Sequence, residues 1–318
     1  MLMNRRDFLK AGTAAGTLAS LYGCAGGSKP TGHVVVVGGG FGGATAAKYL
    51  RMWSEGGVQV TLVERNPVFI SCPISNLVIG GTQKMEDITI SYDGLRSKWG
   101  VRVIQDDVVA VDPVKRAVSL KAGGSLAYDR LVLSPGIDFL WEQIPALASA
   151  DAQGRILHAW KAGPQTVALR RQLEDMKDGG VYVISVPKAP YRCPPGPYER
   201  ASLVAAYFKR FKPKSKVIVL DANEELVSKK GLFVKAWDDL YKGTLEYRPN
   251  SEVKDVDVAS RTAVVEFDKV RADALNVIPP QRAGDIAAKS GLKLINNRWV
   301  DINWLSMEAN GAAGVHVI

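Results

Sequence analysis

The stretch 33–50, HVVVVGGGFGGATAAKYL, decides how the rest of the chain is read. Its β-branched run, Val34 to Val37, has the continuous apolar character of a strand buried on both faces. The run ends in Gly38-x-Gly40-x-x-Gly43, and an alanine-rich, helix-like segment follows. Roughly twenty residues on, VQVTLVE reads as a second strand that closes in Glu64. Strand, glycine turn, helix and a terminal acid together make a dinucleotide-binding βαβ unit, a far stronger signal than three glycines alone. Gly38 permits the tight turn, Gly40 lets backbone approach a pyrophosphate, and Gly43 lets helix and strand pack closely. The helix N-terminus then faces the phosphates. Glu64 is placed to accept from a ribose hydroxyl, and its charge repels a 2′-phosphate. Phe41, at the turn, and Arg65, beside the acid, complete the expected nucleotide-binding set.

Downstream, residues 101–120 and 125–136 read as short strands with turns at Asp112-Pro113 and Gly123-Gly124, ending in Ser134-Pro135-Gly136. Gly136 is expected to approach the nucleotide closely. The pattern of 109–120, VAVDPVKRAVSL, returns at 253–267, VKDVDVASRTAVVEF. Each is followed by an apolar strand, in YDRLVLSPG and ADALNVIPPQRAG. This is an internal repeat. The fold class is therefore α/β, with two Rossmann-like domains, each a βαβ start and a β-meander. The first spans 32–140 and the second 178–280, with 281–318 returning to the first.

The second unit opens with GGVYVISV and its next strand, SKVIVLD, ends at Asp221. Between them lies SVPKAPYRCPPGPYER, with five prolines from Pro187 to Pro197 where a glycine turn would stand. Proline has no N–H to offer a phosphate. The first unit should bind a dinucleotide and the second should not, which argues against NAD(P)H as the electron source. The loop instead carries Cys193.

Residues 1–25 read as a twin-arginine export signal: Arg5-Arg6, then DFLK, then a weakly apolar Ala/Gly/Thr-rich stretch. The mature chain is then periplasmic. Cys24, at the end of that segment, is a poor fit to a lipidation site and is expected to be cut away. Two cysteines remain, Cys72 and Cys193, in an oxidising compartment where a structural disulfide between them is the plain alternative. Forty-seven percent of the residues are apolar, yet no run reaches the roughly 18 residues of a membrane helix. The net charge of +9 comes without a Lys/Arg block. It suits steering of an acidic protein partner or an anion better than nucleic-acid binding. His33, His158 and His316 show no metal-ligand spacing with Cys or acids, so no metal site is expected. Residues 165–180 read as an amphipathic helix closed by Gly179-Gly180, with Arg170-Arg171 on its solvated side.

Several strings resemble the flavoprotein subunit of flavocytochrome c sulfide dehydrogenase, within the flavin disulfide-reductase superfamily. They are the opening stretch, FISCPISNLVIGG, HAWKAGPQT, RCPPGPYERAS and IPPQRAGDIA. The resemblance runs from the export signal nearly to Ile318. It implies FAD in the first unit, attached through a thioether from Cys72 to the flavin 8-methyl carbon. The eight residues from Glu64 to Cys72 can reach up to about 26 Å, enough to run beside an extended FAD. It also implies a redox disulfide near the flavin, with Cys193 as one member and the other beyond Ile318. It places Trp160, Lys161 and the 279–282 loop near the flavin, although a tryptophan in such a string is more often packing. Sulfide would attack that disulfide, and electrons would pass to a c-type cytochrome on another chain, since C-x-x-C-H is absent here. By resemblance the chain is expected to be C-terminally truncated, lacking an interface domain, which puts its own activity in question. A sulfide:quinone or NAD(P)H-dependent flavin oxidoreductase and a nucleotide-binding remnant without activity are the alternatives.

Overall fold

The structure, a computed structural model, describes residues 30–318. The export signal and Cys24 lie outside the described residues.

The elements that position the site are, in chain order, β1 (Gly32–Val37), α1 (Phe41–Trp53), β2 (Val58–Glu64), α2 (Ser75–Gly80), β3 (Arg102–Gln105), β4 (Arg130–Leu133), α3 (Pro164–Asp175), β5 (Val181–Val186), α4 (Gly196–Phe211), β6 (Lys216–Asp221), β7 (Leu245–Arg248), β8 (Ala274–Val277) and β9 (Val315–Val317). They build two parallel sheets, in the orders β9-β4-β1-β2-β3 and β7-β6-β5-β8. Val35, Val36, Leu62, Val183 and Val219 are all closed to solvent. Strands covered on both faces lose the alternating pattern, which is why these runs are continuously apolar.

Each sheet carries its own antiparallel meander, over 108–127 and 255–271. Each meander hands the chain to a strand, β4 or β8, that lies parallel beside the first strand of its sheet. The repeat in the sequence is thus a repeat in space. Strand β9 rejoins the first sheet beside β4.

The core of the second sheet extends beyond that sheet. Tyr182, Tyr198 and Phe208 pack in one cluster with Ile79 from α2, with Phe139, and with Leu157 and Trp160. Side chains of this size contribute about 1.5–3 kcal/mol each when fully buried. The second sheet's apolar core therefore reaches α2 and the 137–139 strand.

Helix α3 ends at Asp175, before Gly179-Gly180, because Met176 turns into extended backbone and buries its side chain. Arg170 is not on the solvated side: it donates to Ile79 O (3.2 Å), pairs with Glu174 (2.8 Å) and lies over the Tyr207 ring. Arg171 alone is exposed.

Candidate functional site

The turn from β1 to α1 is only three residues, Gly38 to Gly40. Gly38 has φ +95°, and a Cβ there would lie 2.1 Å from Ser134 O. A Cβ on Gly43 would lie 1.8 Å from Gly38 O, so the helix can approach the turn only without a side chain at 43. At Gly40 an added Cβ would meet nothing within 4 Å, although Gly40 lines the main cleft. A side chain there would stand in open space that the bare backbone leaves for a ligand.

That cleft measures about 700 Å³, within the usual range for ligand sites. It runs from the glycine turn past Glu64 and Phe69 to Cys72, and ends against Trp160, Arg192, Cys193 and Arg200. Gly40, Phe41, Glu64, Cys72, Gly136 and Cys193, all expected from the sequence, meet in its wall. Phe41 packs edge-to-face on Phe69, with centroids 4.9 Å apart. Glu64 accepts from Gly39 N–H (2.6 Å), from Asn66 N–H (2.8 Å) and from Asn66 Nδ2 (2.7 Å). A carboxylate has about four acceptor positions, so capacity for a hydroxyl remains. Gly38 and Gly43 shape the turn without lining the cleft. Arg65 lies outside the cleft wall, exposed and paired with Asp107 at 3.3 Å.

Cys72 sits just before α2, and its sulfur accepts from Ala162 N–H at 3.4 Å. Cys193 sits on the proline loop with φ +60°, a conformation uncommon for a residue with a Cβ. Both are free thiols and no disulfide joins them. The loop is fastened on several sides. Arg192 N–H donates to Gln281 Oε1 (2.9 Å), the Arg192 side chain donates to Trp160 O, and Tyr191 Oη donates to Pro194 O (3.1 Å). Asn76, from α2, donates to Gly196 O at 3.1 Å. Burial, followed by the Glu199 carboxylate, pushes the Cys193 thiol up; a backbone hydrogen bond from Gly196 and the charges of Arg192 and Arg200 pull it down.

His158 is held down to about 3 by burial and then by Lys161, Arg200 and Arg192. It is neutral, and its Nδ1 accepts from Trp160 N–H at 2.8 Å. It therefore shapes the cleft wall through Trp160. Lys161 lines the cleft and pairs with Asp138 at 2.9 Å. Tyr92, which donates to Gly39 O (3.0 Å), carried no signal in the sequence. Asn76 stands in FISCPISNLVIGG and Arg200 in RCPPGPYERAS, but their roles depend on distant partners.

The second crossing is closed. Asp221 is fully buried and accepts from Tyr198 Oη (2.7 Å) and Tyr247 Oη (3.0 Å), as well as from Asn223. At the matching strand end of the first unit, Glu64 instead borders the cleft.

Three family models match the chain. A twin-arginine translocation pathway signal sequence covers 2–22, which directs export to the periplasm. Pyridine nucleotide-disulphide oxidoreductase covers 32–169, and the central part of the sulfide dehydrogenase [flavocytochrome c] flavoprotein chain covers 166–279. The sulfide dehydrogenase [flavocytochrome c] flavoprotein chain of Chlorobaculum thiosulfatiphilum is 58% identical over 48 residues, covering 15% of this chain and 98% of that one. The mitochondrial sulfide:quinone oxidoreductase of Mus musculus is 26% identical over 315 residues, covering 93% of this chain. This chain spans 67% of the mouse protein's length and 58% of that of a similar protein from Dictyostelium discoideum. Among solved structures, the sulfide:quinone oxidoreductase of Aquifex aeolicus superposes with TM-score 0.75 at 19% identity, over 92% of this chain and 68% of that one, a likeness of fold. Among the described residues no helix is long and apolar enough to cross a membrane.

Proposed function

Since the chain belongs to the family of sulfide dehydrogenase flavoprotein chains, oxidoreductases of the flavin-dependent sulfide-oxidising type, we propose that it holds FAD covalently through Cys72, oxidises sulfide at Cys193 and passes electrons to a separate c-type cytochrome. The observation that carries this reading is that both thiols, from different units, line the one cleft that begins at the glycine turn. The fit to FAD rests on the open space at Gly40, on the free acceptor capacity of Glu64 and on the N-terminus of α1. FAD, when bound, supplies an electron-pair acceptor that can be emptied one electron at a time, which suits a haem partner.

The chain's own part is to hold the sulfur. With Cys193 as half of a disulfide to a further cysteine, HS⁻ attacks the Cys193 sulfur. The S–S bond breaks, a Cys193 persulfide forms, and the other sulfur leaves as a thiolate carrying the electron pair. The proline loop, fastened by Gln281 and Asn76, fixes Cys193 for that attack. The acid and phenols at Asp221 close the route by which a nicotinamide dinucleotide would enter.

The test is acid precipitation. Yellow colour should stay with the wild-type polypeptide and go to the supernatant for Cys72→Ser. Sulfide should bleach the wild-type flavin and NADH should not. Bleaching by NADH, or a crystal soak that seats the nicotinamide dinucleotide beside Tyr191 to Tyr198, would overturn the reading. The similarity to sulfide:quinone oxidoreductases supports a second reading, with a quinone as acceptor. Comparing reduction of a soluble c-type cytochrome with that of a short-chain quinone separates the two.

A further inference from the structure

Arg200 is 1% exposed, and every hydrogen bond it makes goes to a neutral oxygen. Nε donates to Asn76 Oδ1 (2.9 Å), Nη1 to His158 O (3.0 Å) and Asn276 Oδ1 (2.8 Å), and Nη2 to Ala159 O (2.7 Å). A guanidinium carries five N–H groups, so one on Nη2 has no acceptor among the described residues. Among the described residues no carboxylate pairs with it, and the buried acid Asp221 is held by tyrosines elsewhere. A buried cation without a counter-charge is expensive to keep. This one stands in the wall of the cleft with Cys72 and Cys193, and its charged form is favoured first by Tyr182 and then by negative charge on Cys72 or Cys193. The face of its guanidinium lies over the Trp160 ring, 5.1 Å from the centroid. The edge of that ring and the Cys193 sulfur crowd the same point: a Cβ on Gly196 would lie 2.7 Å from one and 3.1 Å from the other.

We propose that Arg200 is the built-in counter-ion for an anionic sulfur at Cys193, held charged by neutral oxygens so that its positive field is free to act on the cleft. This rests on the reading of Cys193 as the reactive sulfur. In the reduced protein the event is a proton loss: the Cys193 S–H bond breaks, the proton leaves to solvent, and the thiolate shares the cleft wall with the cation. The other groups acting on that sulfur are Glu199, which opposes ionisation, and the Gly196 N–H and then Arg192, which favour it. Tyr191 couples to it weakly. Burial brings Arg200 down to about 10, so it remains a cation at neutral pH.

A purely structural Arg200 would fasten Asn76, the 158–159 segment and Asn276 without affecting Cys193. Peptide-resolved alkylation by iodoacetamide separates the two roles. The holoprotein is first reduced so that Cys193 is a free thiol, then treated from about pH 5 to about pH 10, and Cys193 is quantified by mass spectrometry. Arg200→Gln should move the Cys193 midpoint up and slow alkylation several-fold at neutral pH. Arg200→Lys should keep most of the wild-type profile. Asn276→Asp places a carboxylate on the guanidinium without deleting it, and should raise the midpoint in the same direction even if Arg200→Gln fails to fold. A folded Arg200→Gln or Asn276→Asp with the wild-type profile overturns the proposal, as does Arg200→Lys shifting as far as Arg200→Gln. Alkylation needs no turnover, so failure of sulfide to bleach the wild-type flavin would sink the functional reading while leaving this measurement intact.

Discussion

At the end of β2, Glu64 accepts from a backbone N–H of the glycine turn and borders an open cleft; at the matching end of β6, Asp221 is sealed under two phenols. The two strands close in the same chemistry, a carboxylate after a βαβ crossing. The loops beside them decide the outcome. Three glycine-rich positions leave N–H groups and space, whereas Pro187 to Pro195 remove donors and bring in Tyr191 and Cys193. An acid at the end of a second strand is thus a nucleotide signal only together with the loop before it.

The largest expected effect is at the glycine turn. Gly43→Val should lose both fold and flavin, since its Cβ has a carbonyl oxygen at 1.8 Å. Gly40→Val should keep the fold, read by circular dichroism, but lose flavin absorbance, because only the cleft is filled. If Gly40→Val stayed yellow, the contrast between the two loops would break. At the other crossing, Tyr198→Phe removes a hydrogen bond to a buried carboxylate and should cost about 1.5–3 kcal/mol in urea unfolding, with no NADH oxidation gained. Glu64→Gln, made in a Cys72→Ser background so that binding is reversible, should weaken FAD by about tenfold.

His158 gives a pH test of the seam between the units. The folded residue stays neutral down to about pH 3, while the unfolded one protonates below 6.5. Acid therefore favours the unfolded chain. This contribution is complete above 6.5 and is lost as pH falls toward 3, with a slope of up to about 1.4 kcal/mol per pH unit. His158→Gln should flatten that slope in unfolding measured across the window. The smallest effect is Glu199→Gln, which should lower the Cys193 alkylation midpoint, since that carboxylate pushes the thiol up.

The first crossing was legible because its signal is local: strand, turn and helix are contiguous, and each glycine answers a steric demand from atoms that the turn itself brings close. The meander repeat was legible for the same reason. Arg65, just past the end of β2, pairs with Asp107 outside the cleft wall that Glu64 borders, a partner that nothing local to the strand end announces. Arg170 was misread because periodicity defines a helix face without saying what covers it, and here α2 and Tyr207 do. Arg200 and Asp221 could not be assigned from the sequence. The Arg200 partners Asn76 and Asn276 lie 124 and 76 residues away, and nothing local to ERAS or VLD announces them.

The clamp on Asp221 also constrains mutational history. Glycines restored to the proline loop alone would still confront Tyr198 and Tyr247 on an occupied acid. Removing either phenol alone strips a donor from a sealed charge before any coenzyme could compensate. Asp221 is thus held by two phenols at once, so changing the proline loop alone would leave the acid as occupied as it is now.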